Sequence, residues 1–102
     1  MNYGLTYGDI CKAAQPINLD NYYSGLYAPI QSLGLQGNRS MANDLIEYVR
    51  GEIAGNVMEY TVKQGVKAWC IKMGILSAQL IAKFVGSVFG ILLEIFDASP
   101  AY

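Results

Sequence analysis

The chain has 102 residues, of which 53% are hydrophobic and 15% are charged, and its net charge is −1. This length fits one small domain. Globular chains carry about 25% charged residues on average, so this surface is poor in charge. The small net charge provides no electrostatic attraction for nucleic acid. Together with a mean hydropathy of +0.25, the composition favours a membrane or a large protein assembly as the surroundings.

The residue types most used in catalysis and metal binding are absent or sparse. The sequence contains no His, which removes the usual general base and the commonest metal ligand. Its two cysteines, Cys11 and Cys70, cannot form a zinc site alone. We expect two free thiols in a reducing compartment, with one disulfide as the alternative. No nucleotide-binding or nucleophile motif occurs, so we expect no enzyme, no metal and no cofactor.

Residues 1–40 form a Tyr- and Gly-rich segment, which we call the N-terminal arm. It holds five of the eight Tyr and only four charged residues, and turn-forming residues recur every few positions. This punctuation leaves room only for short elements. Thr6 and Asp9 are spaced to cap one helical turn, which Pro16 ends, and the rest is expected to run extended or turn-rich. Because aromatic side chains are abundant, we expect the arm to lie on its own helices or on a neighbouring copy.

Residues 41–97 have a helical pattern, and the chain as a whole is predicted to be all-α. The first part, residues 41–63, is an amphipathic helix with Ser40 as its N-cap. Its apolar residues recur at helical spacing, namely Ala42, Leu45, Ile46, Val49, Ile53, Val57 and Tyr60. We expect a bend or short turn at Gln64–Gly65, which gives either a hairpin or one long bent helix.

Residues 66–97 are predicted to form a long hydrophobic helix, followed by a tail of residues 98–102. Its polar side chains fall in one strip about 60° wide. The strip consists of Lys72, Gln79, Lys83 and Glu94, with Asp97 at its end. The remaining surface is apolar or small, so this helix should be buried in a core, an assembly or a bilayer. We expect that a monomer of this size cannot easily cover it.

Five small residues follow one another at intervals of four along this segment, and we call them the small-residue ridge. They are Gly74, Ala78, Ala82, Gly86 and Gly90. Residues at this spacing form one continuous ridge on a helix, and small ones let two helix backbones approach closely. Each Gly disfavours a helix by up to ~1 kcal/mol. Three of them on one ridge therefore favour a packing interface over simple space filling.

Residues 73–93 are also long enough to cross ~30 Å of hydrocarbon. Three basic residues precede this stretch and two acidic residues follow it, namely Lys63, Lys67, Lys72, Glu94 and Asp97. This asymmetry is typical of a single span with a cytoplasmic N-terminus. Lys83 would lie mid-membrane at a cost of ~2.5–3.5 kcal/mol, so it would face a protein partner or a wet lumen. The alternative is a lysine lying along a soluble interface.

These features favour a non-catalytic structural subunit that self-assembles through the small-residue ridge, as part of a virion, a pilus-like filament or a membrane-associated assembly. Its partners would be copies of itself or other helical subunits, with lipid as a further option and without nucleic acid. One alternative is a single-span accessory subunit of a membrane hetero-complex. A membrane-permeabilising or lysis protein is less favoured, because the net charge of −1 provides no attraction to anionic lipid. Residues 1–6 are neither basic nor strongly apolar, so we expect no cleavable secretory signal.

Overall fold

The computed structural model of the protein describes residues 20–55 and 57–98. They form five helical segments in chain order, namely α1 (Asp20–Gly25), α2 (Tyr27–Ser32), α3 (Arg39–Ile53), α4 (Met58–Lys72) and α5 (Ala78–Ala98). No strand occurs within these two ranges, and the all-α prediction is confirmed. Helix α4 packs against both α3 and α5, and the short helices α1 and α2 contact α3 and α5.

Helix α3 begins where an asparagine caps it. The Oδ1 atom of Asn38 accepts a hydrogen bond from the Met41 N–H at 2.9 Å, which satisfies one of the unpaired donors at the start of the helix. Asn38 is therefore the N-cap, and the prediction of Ser40 is wrong by two residues. The predicted amphipathic pattern holds within this helix, since its fully buried residues are Ala42, Leu45, Ile46 and Val49.

The chain turns after this helix at Ala54 and Gly55, and the prediction of a bend at Gln64–Gly65 is wrong. Gly55 has a φ of +79°, which side chains other than glycine rarely adopt. Gly65 lies within α4, where a Cβ atom would be 3.4 Å from the side chain of Val49 on α3. Glycine at this position therefore allows the two helices to approach closely. Beyond the turn the apolar pattern fails, and Val57 is 72% exposed.

The predicted helix over residues 66–97 is in fact two helices, because the chain leaves α4 at a glycine. Gly74 has a φ of +89°, and its N–H donates to the Ile71 carbonyl at 3.0 Å. The N–H of Ile75 donates to the Cys70 carbonyl at 3.0 Å. These two bonds and the left-handed glycine form a Schellman motif, a common helix terminator. The backbone cannot continue as a helix through this position.

Helix α5 begins at Ala78, after the connecting residues 75–77, and has its own cap. The Ser77 Oγ accepts a hydrogen bond from the Leu80 N–H at 3.2 Å, as an N-cap serine does. The helix then continues to Ala98, next to the predicted end before Pro100.

A single core unites the five helices. Helix α5 contributes six of its residues, namely Phe84, Val85, Val88, Leu92, Ile95 and Phe96. Four of these six side chains, those of Phe84, Val88, Leu92 and Ile95, are at most 2% exposed. The expectation that a monomer could not cover this helix is therefore wrong for its inner face, because α4 and the short helices α1 and α2 lie on it.

The described part of the N-terminal arm consists of short elements, as expected, but these are helical rather than extended. Leu26 and Ile30 are fully buried in the core, so this part of the arm lies on the protein's own helices. Pro29 is accommodated in the first turn of α2, where its missing N–H is not needed. The helical turn predicted at residues 6–14, including Cys11, lies outside the described residues.

Candidate interaction surface

The structure divides the small-residue ridge. Ala82, Gly86 and Gly90 lie in one row on α5, and all three are exposed. Ala78 is the first residue of that helix and is also exposed. Gly74 precedes the helix, in the connection from α4. The row that remains is continuous, and it lies on the side of α5 that turns away from the core.

The space above the two glycines is open. Apart from the helix itself, no atom of the described part of the chain lies within 4 Å of a Cβ atom built at Gly86 or at Gly90. Gly65 differs in this respect, because its missing side chain makes room for Val49. Among the residues that the structure describes, therefore, none packs on the two glycines inside α5.

The polar strip is divided in the same way. Gln79, Lys83 and Glu94 are exposed on α5, whereas Lys72 lies in α4 with its Nζ atom 5.1 Å from the centre of the Tyr48 ring. At 100° per residue, eight positions of α5 fall within an arc of about 120°. One of them, Leu93, is half-buried, and the other seven are exposed. We call them the α5 outer face, and they are Gln79, Ala82, Lys83, Gly86, Gly90, Glu94 and Asp97.

Two cation–π contacts lie along one edge of α5. The Nζ atom of Lys63 lies 5.0 Å from the centre of the Phe89 ring. The guanidinium of Arg50 lies 5.7 Å from the centre of the Phe96 ring. Such cation–π contacts contribute roughly 0.5–1 kcal/mol at exposed sites. Helices α3 and α4 thus contact α5 along one edge, and within the described residues its outer face is exposed.

Tyr22 lies at the acidic end of the α5 outer face, and the sequence did not indicate this. Hydrogen bonding to the Glu94 carboxylate, and the negative charge of that group, raise the pKa of the Tyr22 hydroxyl. No sequence signal connects the two residues, because they are far apart in the chain and meet only through the packing of α1 on α5.

A separate open cleft of about 530 Å³ lies between the start of α3 and the end of α4. Its two charged lining residues are Asp44 and Lys72. Asp44 accepts a hydrogen bond from the Trp69 indole and Lys72 lies over Tyr48, so both take part in helix packing. Within residues 20–55 and 57–98, no group of three or more His, Cys, Asp or Glu side chains is arranged to hold a metal ion.

Cys70 is a buried free thiol. Burial raises its pKa to about 11, because the low-polarity interior disfavours the thiolate. Only the thiolate is a strong nucleophile, so Cys70 is chemically protected at neutral pH. Its side chain belongs to the core rather than to a reactive site.

Helix α5 also meets the length and composition of a membrane span. The segment Ala78–Asp97 has 20 residues and a mean hydropathy of 1.7. One third of this segment is buried inside the protein. The outer face of the same helix is small and polar.

The chain matches no protein-family model, no curated protein and no solved structure. The α5 outer face is therefore the feature from which a function has to be argued.

Proposed function

We propose that the protein is a non-catalytic structural subunit that self-associates through the α5 outer face. The observation that carries this proposal is the exposed row of Ala82, Gly86 and Gly90, with open space above both glycines. Such a row forms a shallow groove into which another helix fits at short backbone distance. The assembly would be a virion, a filament or a membrane-associated complex built from copies of this chain or from other helical subunits.

The energetics of glycine support this proposal. Each glycine in a helix interior disfavours the helix by about 1 kcal/mol relative to alanine. At Gly86 and Gly90 no neighbouring group in residues 20–55 and 57–98 offsets this loss. A second helix seated on the row would offset it through van der Waals contact with the exposed backbone.

The distribution of charge supports it as well. Between Lys83 and Glu94 the sequence contains no charged residue over ten positions. The centre of the α5 outer face is therefore uncharged and small, and charges stand only at its two ends. Interfaces have this organisation, with charge depleted at the centre and polar groups at the rim.

The experiment is to measure molar mass by light scattering, with and without detergent, for the wild type and for Gly86→Leu. The monomer has a mass of 11.1 kDa. We expect the wild type without detergent to form a discrete or larger assembly that grows with concentration. Gly86→Leu should reduce the mass towards that of the monomer, because a leucine fills the groove.

Gly51→Leu is the matched control. Gly51 is an exposed glycine within α3 that also has no atom within 4 Å of its Cβ position. Both substitutions replace glycine by the same side chain in an exposed helix, so they have similar effects on helix propensity. Equal masses for the two variants, whether both assembled or both monomeric, would contradict the proposed role of the α5 outer face.

A second candidate function is a single-span subunit of a membrane complex, favoured by the length and hydropathy of Ala78–Asp97. In this arrangement, core residues such as Phe84 and Leu92 would exchange their packing for lipid. Lys83 would need a protein partner, because a charge at the bilayer centre is disfavoured by ~2.5–3.5 kcal/mol.

Vesicle flotation separates the two candidates. Phosphatidylcholine vesicles are mixed with the wild type, washed with alkaline carbonate and floated on a density gradient. A structural subunit of a protein assembly should stay at the bottom after the wash. Co-flotation that survives carbonate would favour the membrane span, and the protein would then remain dispersed only in detergent.

A further inference from the structure

We infer that the occupant of the α5 outer face is a second copy of the same helix, in antiparallel orientation, related by a two-fold axis close to residue 88. This inference rests on the proposed self-association and specifies its geometry. It is carried by the order of charges on α5, where Lys83 stands three residues before Gly86 and Glu94 stands four residues after Gly90.

Lys83 and Glu94 lie on the same edge of the α5 outer face. They are eleven residues apart, which is close to three turns at 3.6 residues per turn, so their side chains project in nearly the same direction. Along the helix axis they are separated by about 16 Å at 1.5 Å per residue. Both are exposed, as an intermolecular contact requires.

A two-fold axis perpendicular to the helices brings these charges together. It reverses the direction of the second helix and keeps each edge of the face beside the same edge of its copy. Lys83 of one copy then lies opposite Glu94 of the other, and the pair occurs twice. A parallel pairing would instead place each lysine at the level of the other lysine, and each glutamate at the level of the other glutamate.

The small residues give the same axis independently. The midpoint of Lys83 and Glu94 falls between residues 88 and 89, and the midpoint of Gly86 and Gly90 falls at residue 88. The difference is half a residue, or about 0.75 Å along the helix. In this register Gly86 of one copy faces Gly90 of the other, so the two backbones are closest at the centre, where the face is uncharged.

The outermost positions complete the pattern. Gln79 and Asp97 are also equidistant from residue 88, so an amide of one copy faces a carboxylate of the other and can donate a hydrogen bond to it. The Glu94 carboxylate also raises the pKa of the nearby Tyr22 hydroxyl, and a carboxylate has further lone pairs for a second donor such as Lys83.

The charge pairs set orientation more than affinity. They lie at the rim, where solvent and salt screen them. Because the contact uses the same surface on both copies, it closes at two subunits. A larger assembly would require a second surface elsewhere on the protein.

Disulfide trapping tests the orientation. In a Cys11→Ser background, with Cys70 left buried, one sample carries Gln79→Cys, another carries Asp97→Cys, and a third is an equal mixture of the two. A disulfide requires Cα atoms within about 7 Å. In the antiparallel pair the two Gln79 positions are about 27 Å apart along the axis. We therefore expect cross-linked dimers in the mixture and none in either variant alone.

Light scattering on the same samples separates this inference from the proposed function. Cross-linking of Gln79→Cys with itself would show a parallel pair, and an assembled mass without any cross-link would show a different surface. Both results would overturn the antiparallel inference while self-association stands. A monomeric mass at all concentrations would overturn both.

Charge reversal gives a readout that does not depend on new cysteines. Lys83→Glu places two like-charged pairs at the antiparallel contact. We expect the dissociation constant of the dimer to rise about tenfold at low salt. Adding Glu94→Lys to the same chain restores opposite charges and should restore association. In a parallel pair, neither change alters the number of like-charged pairs. Unchanged association for Lys83→Glu would therefore overturn the inference.

Discussion

The indole N–H of Trp69 donates a hydrogen bond to Oδ2 of Asp44 at 2.8 Å, which ties the end of α4 to α3. The same indole is fully buried, and it stacks on Phe84 of α5 with 5.9 Å between ring centres. One side chain thus joins the three long helices. The position of α5, and with it the exposure of the α5 outer face, depends on this junction.

We expect Trp69→Phe to lower the free energy of unfolding by about 1–3 kcal/mol, through lost volume and a lost hydrogen bond. A phenyl ring can keep much of the stacking on Phe84 but has no N–H for Asp44. Urea unfolding followed by circular dichroism measures the loss. A double-mutant cycle with Asp44→Ala isolates the hydrogen bond, and its coupling free energy should be about 0.5–1.5 kcal/mol. A coupling of zero would mean that the contact contributes nothing to stability.

Gly37→Ala should also destabilise the fold. A Cβ atom at Gly37 would clash with the backbone oxygen of Tyr27 and lie 2.5 Å from the Cγ of Gln31. Because a backbone atom cannot easily move aside, we expect a loss of about 1–3 kcal/mol, as for other overpacked sites. Gly51→Ala, where no atom lies within 4 Å, is the control and should raise the unfolding midpoint. An unchanged free energy of unfolding for Gly37→Ala would mean that the connection between α2 and α3 shifts to make room for the methyl group.

Gly74→Ala and Gly86→Ala should change stability in opposite directions. Gly74 has a φ of +89°, so a Cβ there is strained, and we expect a loss of about 1 kcal/mol. Gly86 lies within a helix and has open space above it, so alanine should add up to ~1 kcal/mol. Thermal unfolding at high dilution, where association does not contribute, measures both. Stabilisation by both variants would instead indicate one continuous helix through residue 74.

The helix break at Gly74 shows why periodicity alone predicted too long a helix. An apolar pattern of period 3.6 continued across residues 73–77, because the residues on both sides of the break are apolar. The local signals of a helix end were nevertheless present, namely Gly74 as a left-handed cap followed by Ser77 as a helix start. They carry more weight than the repeat because they act on backbone geometry directly.

Gly55 and Gly65 show how far the sequence predicts the role of a glycine. Both interrupt an apolar pattern, yet one has a φ of +79° in the turn and the other lies against Val49. The candidate surface was likewise predictable only in part. The spacing of Ala82, Gly86 and Gly90 identified one row on a helix, whereas its exposure follows from which face of α5 the bundle covers.

The pH dependence of stability should contain a contribution from Cys70. Burial raises the pKa of its thiol to about 11, whereas an exposed cysteine has a pKa of about 8.5. Below about pH 8.5 the thiol is protonated in both the folded and the unfolded chain, so this stabilising contribution is fully present. As the pH rises from about 8.5 towards 11, the unfolded chain loses the proton first, so the contribution is progressively lost.

Cys70→Ala isolates that contribution, because Cys11 and the other titrating groups are the same in both proteins. We expect the variant to be less stable near pH 7, since the smaller side chain leaves a small cavity in the core. Between about pH 8.5 and pH 10 its urea midpoint should fall less steeply than that of the wild type, because the alanine has no proton to lose. Parallel decline of the two midpoints over this range would mean that the thiolate is as well solvated in the folded protein as in the unfolded chain, contrary to the burial of Cys70.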